Sequence, residues 1–166
     1  FLDFMMKNKI KIENTEIRFH ENWPDIDVDL AMAALNLGRT SSQFNALVEA
    51  VCCESDISVF EFEVLVLLRS FPYPYRLTPS LLSRSLMVSS GGLTKVLIKL
   101  EKKGYIVRDL NPTDKRSKIV RLTEYGVGFI EKHYPIVQSM SKRFFESKLS
   151  KRELTLLTSL LTKLLK

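Results

Sequence analysis

The sequence has few cysteines and few histidines, and this shortage argues against a disulfide framework and a metal centre. Among 166 residues there are only two cysteines, Cys52 and Cys53, and they are adjacent. Neighbouring cysteines rarely meet the geometry of a disulfide, and two of them without a CxxC spacing do not make a metal site. We expect one buried thiol and one uninvolved neighbour, with redox sensing as the alternative.

Signatures of enzymes are missing as well. The sequence contains no GxGxxG, P-loop or GxSxG motif, and its two histidines, His20 and His133, stand in no metal-ligand spacing. We expect both histidines to be surface or interface residues. We predict no cofactor, no bound metal and no enzymatic activity.

Long apolar runs and a signal-peptide pattern are also lacking. Apolar runs such as Val64–Leu68 are far too short to span a bilayer. Near the N-terminus, Lys7, Lys9 and Lys11 follow the apolar residues, whereas a signal peptide places its basic residues first. We therefore predict a cytoplasmic protein with no membrane partner.

The sequence does contain a concentration of positive charge. The formal net charge is +6, and eleven lysines and arginines lie between Arg76 and Arg121 against three acids. The rest of the chain has fourteen basic residues against sixteen acidic ones. A basic patch confined to one segment indicates a polyanion binder, although surplus basic residues can also serve solubility alone.

Hydrophobic periodicity and turn signals predict a mainly α chain with one small β-hairpin. Residues before about 24 are weakly patterned, and we interpret them as an extension that docks elsewhere. The predicted elements are a helix over 27–53, a helix from the Ser58–Glu61 capping box, a helix from Thr78-Pro79, a helix over 93–103 closed by Gly104, strands over 105–110 and 118–122, a helix from Thr123 that Pro135 should kink or break, and a helix from the Ser150–Glu153 capping box.

This order of elements predicts a winged helix-turn-helix with N- and C-terminal dimerisation helices. We divide the chain into an N-terminal extension and dimerisation helix (1–57), a DNA-binding domain (58–122) and C-terminal dimerisation helices (123–166). The terminal helices carry more apolar surface than a small core can cover, which favours a two-fold dimer. The residues expected at its interface are Leu30, Leu37, Leu154, Leu157, Leu161 and Leu164.

The segment that begins at Ser89 has the features of a recognition helix. Small residues over Ser89–Gly92 would let the backbone approach DNA, and the first free N–H groups could receive a phosphate. Thr94 and Lys95 follow at the depth of base edges in the major groove. The alternative is an ordinary surface helix whose glycines permit tight packing. Ile98, among polar positions, would touch a thymine methyl group or be a stray surface residue.

The predicted hairpin carries Asp114-Lys115-Arg116 at its tip. An arginine there can enter a narrow minor groove, and the aspartate can pair with its guanidinium and aim it; a solvated turn with a weak ion pair is the alternative. The predicted DNA contacts are Thr78, Ser89, Ser90, Gly91, Thr94, Lys95, Lys99, Arg108, Asp114, Lys115 and Arg116.

Taken in order and spacing, the runs 77–79, 89–95, 100–106, 114–116 and 122–126 resemble the MarR family, the multiple antibiotic resistance regulators. The resemblance covers roughly residues 23–165. It implies a recognition helix in the major groove, Arg116 in the minor groove oriented by Asp114, and dimerisation through the terminal helices. It also implies a repressor that releases DNA when a small phenolic or similar effector binds between the two lobes.

Some positions depart from the family pattern. Leu81 stands where the family often has Glu, and Val96 and Ile98 stand where polar or basic residues are common, which affects the operator sequence. Members of the family that sense peroxide have a cysteine near the start of the first helix, whereas Cys52 and Cys53 lie at its end, so peroxide sensing does not carry over. Candidates for an effector pocket, with helix-packing and loop roles as the alternative, are Arg39, Arg69, Tyr73 and Tyr75.

We therefore predict a bacterial, homodimeric, sequence-specific regulator of transcription, a repressor on a pseudo-palindromic operator whose half-sites lie about 34 Å apart. One alternative is a winged helix that serves as a protein-interaction module for an acidic partner. Another is an enzyme whose winged helix only dimerises, although no residues remain for a catalytic domain.

Overall fold

The computed structural model describes residues 14–110 and 118–165. These ranges contain the helices α1 (Thr15–Asn22), α2 (Val28–Cys53), α3 (Val59–Arg69), α4 (Pro79–Ser85), α5 (Ser90–Lys102), α6 (Glu124–Glu146) and α7 (Lys151–Leu164), and the strands β1 (Arg76–Leu77), β2 (Ile106–Leu110) and β3 (Lys118–Leu122). The mainly α fold with a small β wing is confirmed.

Backbone contacts divide the chain into two units. The first unit comprises residues 1–43 and contains α1 and most of α2, whereas the second comprises residues 44–166 and contains the end of α2 and all later elements. In the first unit Thr15 and Val28 are buried, while Leu30 and Leu37 are exposed. In the second unit, buried side chains from α3, α4, α5, α6 and the sheet form one core.

Helix α3 begins at the predicted capping box. The Ser58 hydroxyl accepts a hydrogen bond from the Glu61 N–H at 3.1 Å, and the Glu61 carboxylate accepts one from the Ser58 N–H at 2.8 Å. Glu61 is only 3% exposed. Besides the Ser58 N–H, its carboxylate has Lys103 as an ion-pair partner, whose Nζ lies 3.4 Å from Oε2. A buried carboxylate is tolerated only when it is paired in this way.

The sheet has three strands in the order β1–β3–β2, all antiparallel. The hairpin of β2 and β3 is as predicted, with Ile106 opposite Leu122 and Leu110 opposite Lys118. The sequence analysis missed β1, because a strand of two residues gives no alternating pattern. It pairs with β3 and ties the segment before α4 to the wing.

Two further features differ from what the sequence indicated. Helix α1 lies where no regular structure was predicted, since eight residues with few apolar positions make a weak helical signal. Helix α6 runs without a break from Glu124 to Glu146 with Pro135 inside it. Proline removes a single backbone donor, and the buried Ile130 and Val137 hold the helix to the core on both sides of it.

The two cysteines differ as expected. Both thiols are free, Cys52 is buried and Cys53 is exposed. Burial, and the neighbouring Cys53 to a lesser extent, raise the pKa of Cys52 to about 11, so its thiol is protonated at neutral pH. His20 is exposed on α1. His133 is half-buried, with Nδ1 2.8 Å from the Phe129 carbonyl oxygen.

Candidate nucleic-acid interface

Helices α4 and α5 form a helix-turn-helix whose turn is fixed by side-chain hydrogen bonds. Thr78 caps α4 by accepting a hydrogen bond from the Leu81 N–H at 3.3 Å. The Ser83 hydroxyl donates to the Val88 carbonyl oxygen at 2.5 Å across the turn. Met87 adopts a left-handed conformation with φ of 54° at this point, so the chain reverses within a few residues.

Helix α5 has one buried and one exposed side. Leu93, Leu97 and Leu100 are buried in the core. The opposite side carries the exposed residues Ser90, Gly91, Thr94, Lys95, Ile98, Lys99 and Lys102. The predicted division into an apolar face and a basic, hydroxyl-bearing face is therefore correct.

The N-terminus of α5 is open to an approaching ligand. Ser89 caps the helix by accepting a hydrogen bond from the Gly92 N–H at 3.2 Å. The Thr94 hydroxyl donates to the Ser90 carbonyl oxygen at 2.7 Å, which fixes its rotamer. A Cβ atom on Gly91 would meet nothing within 4 Å, so this glycine leaves free space on the outer surface.

The lysines of α5 fall into two groups. Lys95, Lys99 and Lys102 are exposed, and none of them forms an ion pair with a described residue. Lys103 instead pairs with the buried Glu61 and donates to the Asp56 carbonyl oxygen. The first three lysines are free to meet an anion, whereas Lys103 has a structural role.

Two arginines on the strands of the wing are held by carboxylates. Arg108 donates from Nε to Glu101 on α5 at 2.8 Å, and this hydrogen bond holds the pKa of Glu101 below its ordinary value. Arg121 donates to Asp109 across the hairpin, also at 2.8 Å. The predicted wing-tip contacts Asp114, Lys115 and Arg116 lie outside the described residues.

A cleft of about 590 Å³ lies between the two helices of the motif. Its lining includes Arg84 from the last turn of α4, the exposed Met87, and Thr94. Sequence reasoning missed Arg84 as a candidate contact. The signal was available, because Arg84 belongs to the basic segment and stands on a short helix with Leu82 as its buried side.

Three of the predicted effector residues, Arg69, Tyr73 and Tyr75, line two different cavities. Arg69 lies over the Tyr75 ring at 4.5 Å and pairs with Glu131 at 2.8 Å. Tyr73 and Tyr75 line a cavity of about 450 Å³ that also contains Glu131, and Arg69 lines a different one of about 400 Å³. Arg39 lies on α2 in the first unit and is half-buried.

The last helix exposes a leucine-rich surface. Leu161 and Leu164, predicted for the dimer interface, are exposed, and Leu164 is 74% accessible. Leu154 and Leu157 are half-buried within the chain. Leu156 and Leu160 also belong to the exposed set, although the predicted interface omitted them.

Residues 14–110 and 118–165 contain neither a membrane span nor a metal cluster. No helix there combines the length and the apolar character that crossing a bilayer requires. In the same ranges, His, Cys, Asp and Glu side chains nowhere form a group of three or more that could hold a metal ion.

Comparison with known proteins supplies the family. The MarR family model matches residues 57–118. The multiple antibiotic resistance protein MarR of Escherichia coli is 31% identical over 141 residues, which make up 82% of this chain and 96% of that protein. The chain belongs to the MarR family. It is thus a DNA-binding, helix-turn-helix transcriptional regulator and not an enzyme.

Two more similarities support membership of the MarR family. An uncharacterised HTH-type transcriptional regulator of Bacillus cereus is 33% identical over 129 residues, or 78% of this chain and 84% of that one. The crystal structure of a mutant of MarR from E. coli complexed with operator DNA superimposes with a TM-score of 0.73 at 28% identity. That match covers 89% of this chain and 98% of the other.

Proposed function

We propose that this MarR-family chain acts as a homodimeric repressor that binds a pseudo-palindromic operator and releases it when a small ligand binds. The observation that supports the DNA-binding surface is the outer side of α5, where three lysines that pair with no described carboxylate follow an open helix N-terminus along the exposed face. The MarR structure with operator DNA supports the same use of the fold. In a bacterial cell such a protein would act in the cytoplasm, with the chromosome.

The proposed contacts divide by chemistry. Ser90, Gly91, Thr94 and Lys95 stand at the start of α5, where side chains of a recognition helix meet base edges. The remaining proposed contacts, to phosphates or from the wing, are Thr78, Ser89, Lys99, Asp114, Lys115 and Arg116. Arg108, which the sequence also predicted as a contact, is held by Glu101. Of these, Arg116 is proposed for the minor groove on the strength of the family resemblance, with Asp114 orienting it.

Fluorescence anisotropy with random duplex DNA tests the surface directly. We expect tight binding at low salt that weakens steeply as salt is raised, because phosphate contacts release counterions. Lys99→Ala should weaken binding to every sequence, and Lys132→Ala, which removes an exposed lysine of α6, should not. The absence of binding at low salt would refute the proposal and favour the protein-interaction module.

The exposed leucines of α7 support the homodimer. Light scattering should give a dimer for the wild type, since a stripe of exposed leucines needs a partner in water. Leu160→Glu places a charge in the stripe and should yield monomers with weakened operator binding. Ser159→Glu adds the same charge at an exposed position on the opposite side of the helix and should remain dimeric. A monomeric wild type, or a dimeric Leu160→Glu, would contradict this interface.

A cavity in the second unit supports control by a ligand. It measures about 470 Å³ and lies among residues of α2, α3 and α6, with Leu86 at its edge after α4. Cavities of roughly 300–1,000 Å³ with mostly apolar walls are typical of small-molecule sites. Because α4 belongs to the helix-turn-helix, a ligand here could bias the position of the DNA-binding helices.

A further inference from the structure

The walls of the 470 Å³ cavity, called the α2–α3–α6 cavity below, combine aromatic rings with one acid. Phe62, Val48 and Val137 are buried and form its apolar floor, and Phe44 and Tyr134 add two more rings. The uncharged polar residues in the lining are Asn45, Ser70, Gln138 and Ser141. The only charged residue in the lining is Glu63, and no lysine, arginine or histidine belongs to it.

The described cations that line the two cavities beside this one each lie next to a carboxylate. Arg69 lines the adjoining cavity, but its guanidinium is bound to Glu131. Lys142 lines another neighbouring cavity and lies 4.0 Å from Glu146. Glu63, by contrast, forms no ion pair with any residue of the described chain. Among the described residues that line these three cavities, the one charge without an ion-pair partner is therefore that of Glu63.

We propose that the α2–α3–α6 cavity binds a compact aromatic amine, whose ammonium group pairs with Glu63 while its rings lie against Phe44, Phe62 and Tyr134. This inference rests on the proposed function and names the chemical class of its ligand. It narrows the aromatic or phenolic effector expected from the family to a cationic one, because an aromatic carboxylate would face Glu63 with a like charge, and the described lining residues include no cation.

The surroundings of Glu63 favour a cation on two counts. Glu63 is an exposed residue in the cavity lining, and the protein that covers part of its carboxyl raises its pKa by desolvation, so an approaching ammonium group would stabilise the charged form. Aromatic faces attract cations as well, and rings next to an acid are the usual surroundings of a bound ammonium group.

Three isosteric probes test the proposal: 1-naphthylmethylamine, 1-naphthalenemethanol and 1-naphthoic acid. They share the two-ring body and differ in charge. Isothermal titration of the purified protein without DNA should give an amine affinity at least about tenfold above that of the alcohol, with the acid weakest. Glu63→Gln should remove the preference for the amine. Glu49→Gln, which alters an exposed carboxylate on α2 outside the lining, should retain it.

Each other outcome overturns the proposal: no binding of any probe, an acid that binds as well as the amine, or a preference that survives Glu63→Gln. Thermal unfolding of Glu63→Gln checks that the variant is folded. The ranking of the three probes on the wild type tests the proposal even if the variant does not fold. DNA binding is measured separately by anisotropy. If the wild type does not bind DNA but prefers the amine, the proposed function alone is refuted. If it binds DNA but shows no preference for the amine, this inference alone is refuted.

Discussion

Gly126 allows α6 to start directly against the base of the wing, and an added methyl group there should be severely destabilising. Its N–H is part of the helix cap, donating to the Thr123 hydroxyl at 3.0 Å. A Cβ atom on Gly126 would lie 2.1 Å from the carbonyl oxygen of Tyr105 and 3.3 Å from Leu122 Cδ2. Ordinary contacts are about 3.5–4.0 Å, so the backbone itself would have to move by more than about 1 Å.

The cost can be worked out from what that movement breaks. The Tyr105 carbonyl oxygen accepts hydrogen bonds from the Thr123 N–H at 3.0 Å and from the Thr123 hydroxyl at 3.1 Å. Overpacking costs about 1–3 kcal/mol, and each weakened hydrogen bond about 1 kcal/mol. We expect Gly126→Ala to lower the free energy of unfolding by about 3–5 kcal/mol, a large share of the roughly 5–15 kcal/mol of a typical domain.

Gly128 on the same helix provides the matched control. A Cβ atom there would meet nothing within 4 Å. Gly128→Ala should therefore stabilise the helix by up to about 1 kcal/mol through propensity alone. Urea unfolding of both variants at one fixed protein concentration, as a dimer requires, measures the difference. A loss below about 1 kcal/mol for Gly126→Ala would refute the close approach of α6 to Tyr105.

Side-chain environments give two more predictions. Cys53 should react with a thiol reagent within minutes, whereas Cys52 should react only after unfolding, since it is buried and its pKa is raised to about 11; equal rates in the native protein would contradict this. The Arg108–Glu101 pair should stabilise the fold above about pH 4.5 and lose its effect as pH falls further, because the pKa of Glu101 is lowered in the folded state. Unfolding curves of the wild type and Glu101→Gln should therefore converge at low pH, and a constant gap would refute the pairing.

The sequence was most informative where capping residues and hydrophobic periodicity agree. Ser58 with Glu61, Thr78 before Pro79, and Ser150 with Glu153 each place a helix start at the residue where the structure has it. Side-chain caps depend on residues three positions apart, so they can be read locally. The exposed side of α5 was predictable for the same reason, because a helix fixes which residues share a face.

Features that depend on distant partners were not predictable. Strand β1 exists through its pairing with β3, more than forty residues later in the chain, where Leu77 lies opposite Val120. The acidic character of the α2–α3–α6 cavity likewise arises from packing, which brings Glu63 and aromatic side chains of separate helices into one lining. Local patterns report neither kind of feature, since both are set by packing between elements.

The number of basic residues in the segment 76–121 therefore overestimates how many of them are available to DNA. Lys103, Arg108 and Arg121 are bound to carboxylates of the protein, whereas neighbours such as Lys102 are free. Adjacent lysines should consequently respond in opposite ways to the same substitution.

Lys102→Ala should leave the unfolding free energy within about 0.5 kcal/mol of the wild type, and it should reduce the salt slope of DNA binding by about 0.9 for each phosphate that the protein no longer neutralises. Lys103→Ala should destabilise the fold by about 1–3 kcal/mol, because it leaves the buried Glu61 carboxylate without its cation. At temperatures where the variant is folded, its salt slope should match that of the wild type. The opposite assignment, with Lys103→Ala changing the slope and Lys102→Ala the stability, would show that α5 presents a different face to DNA.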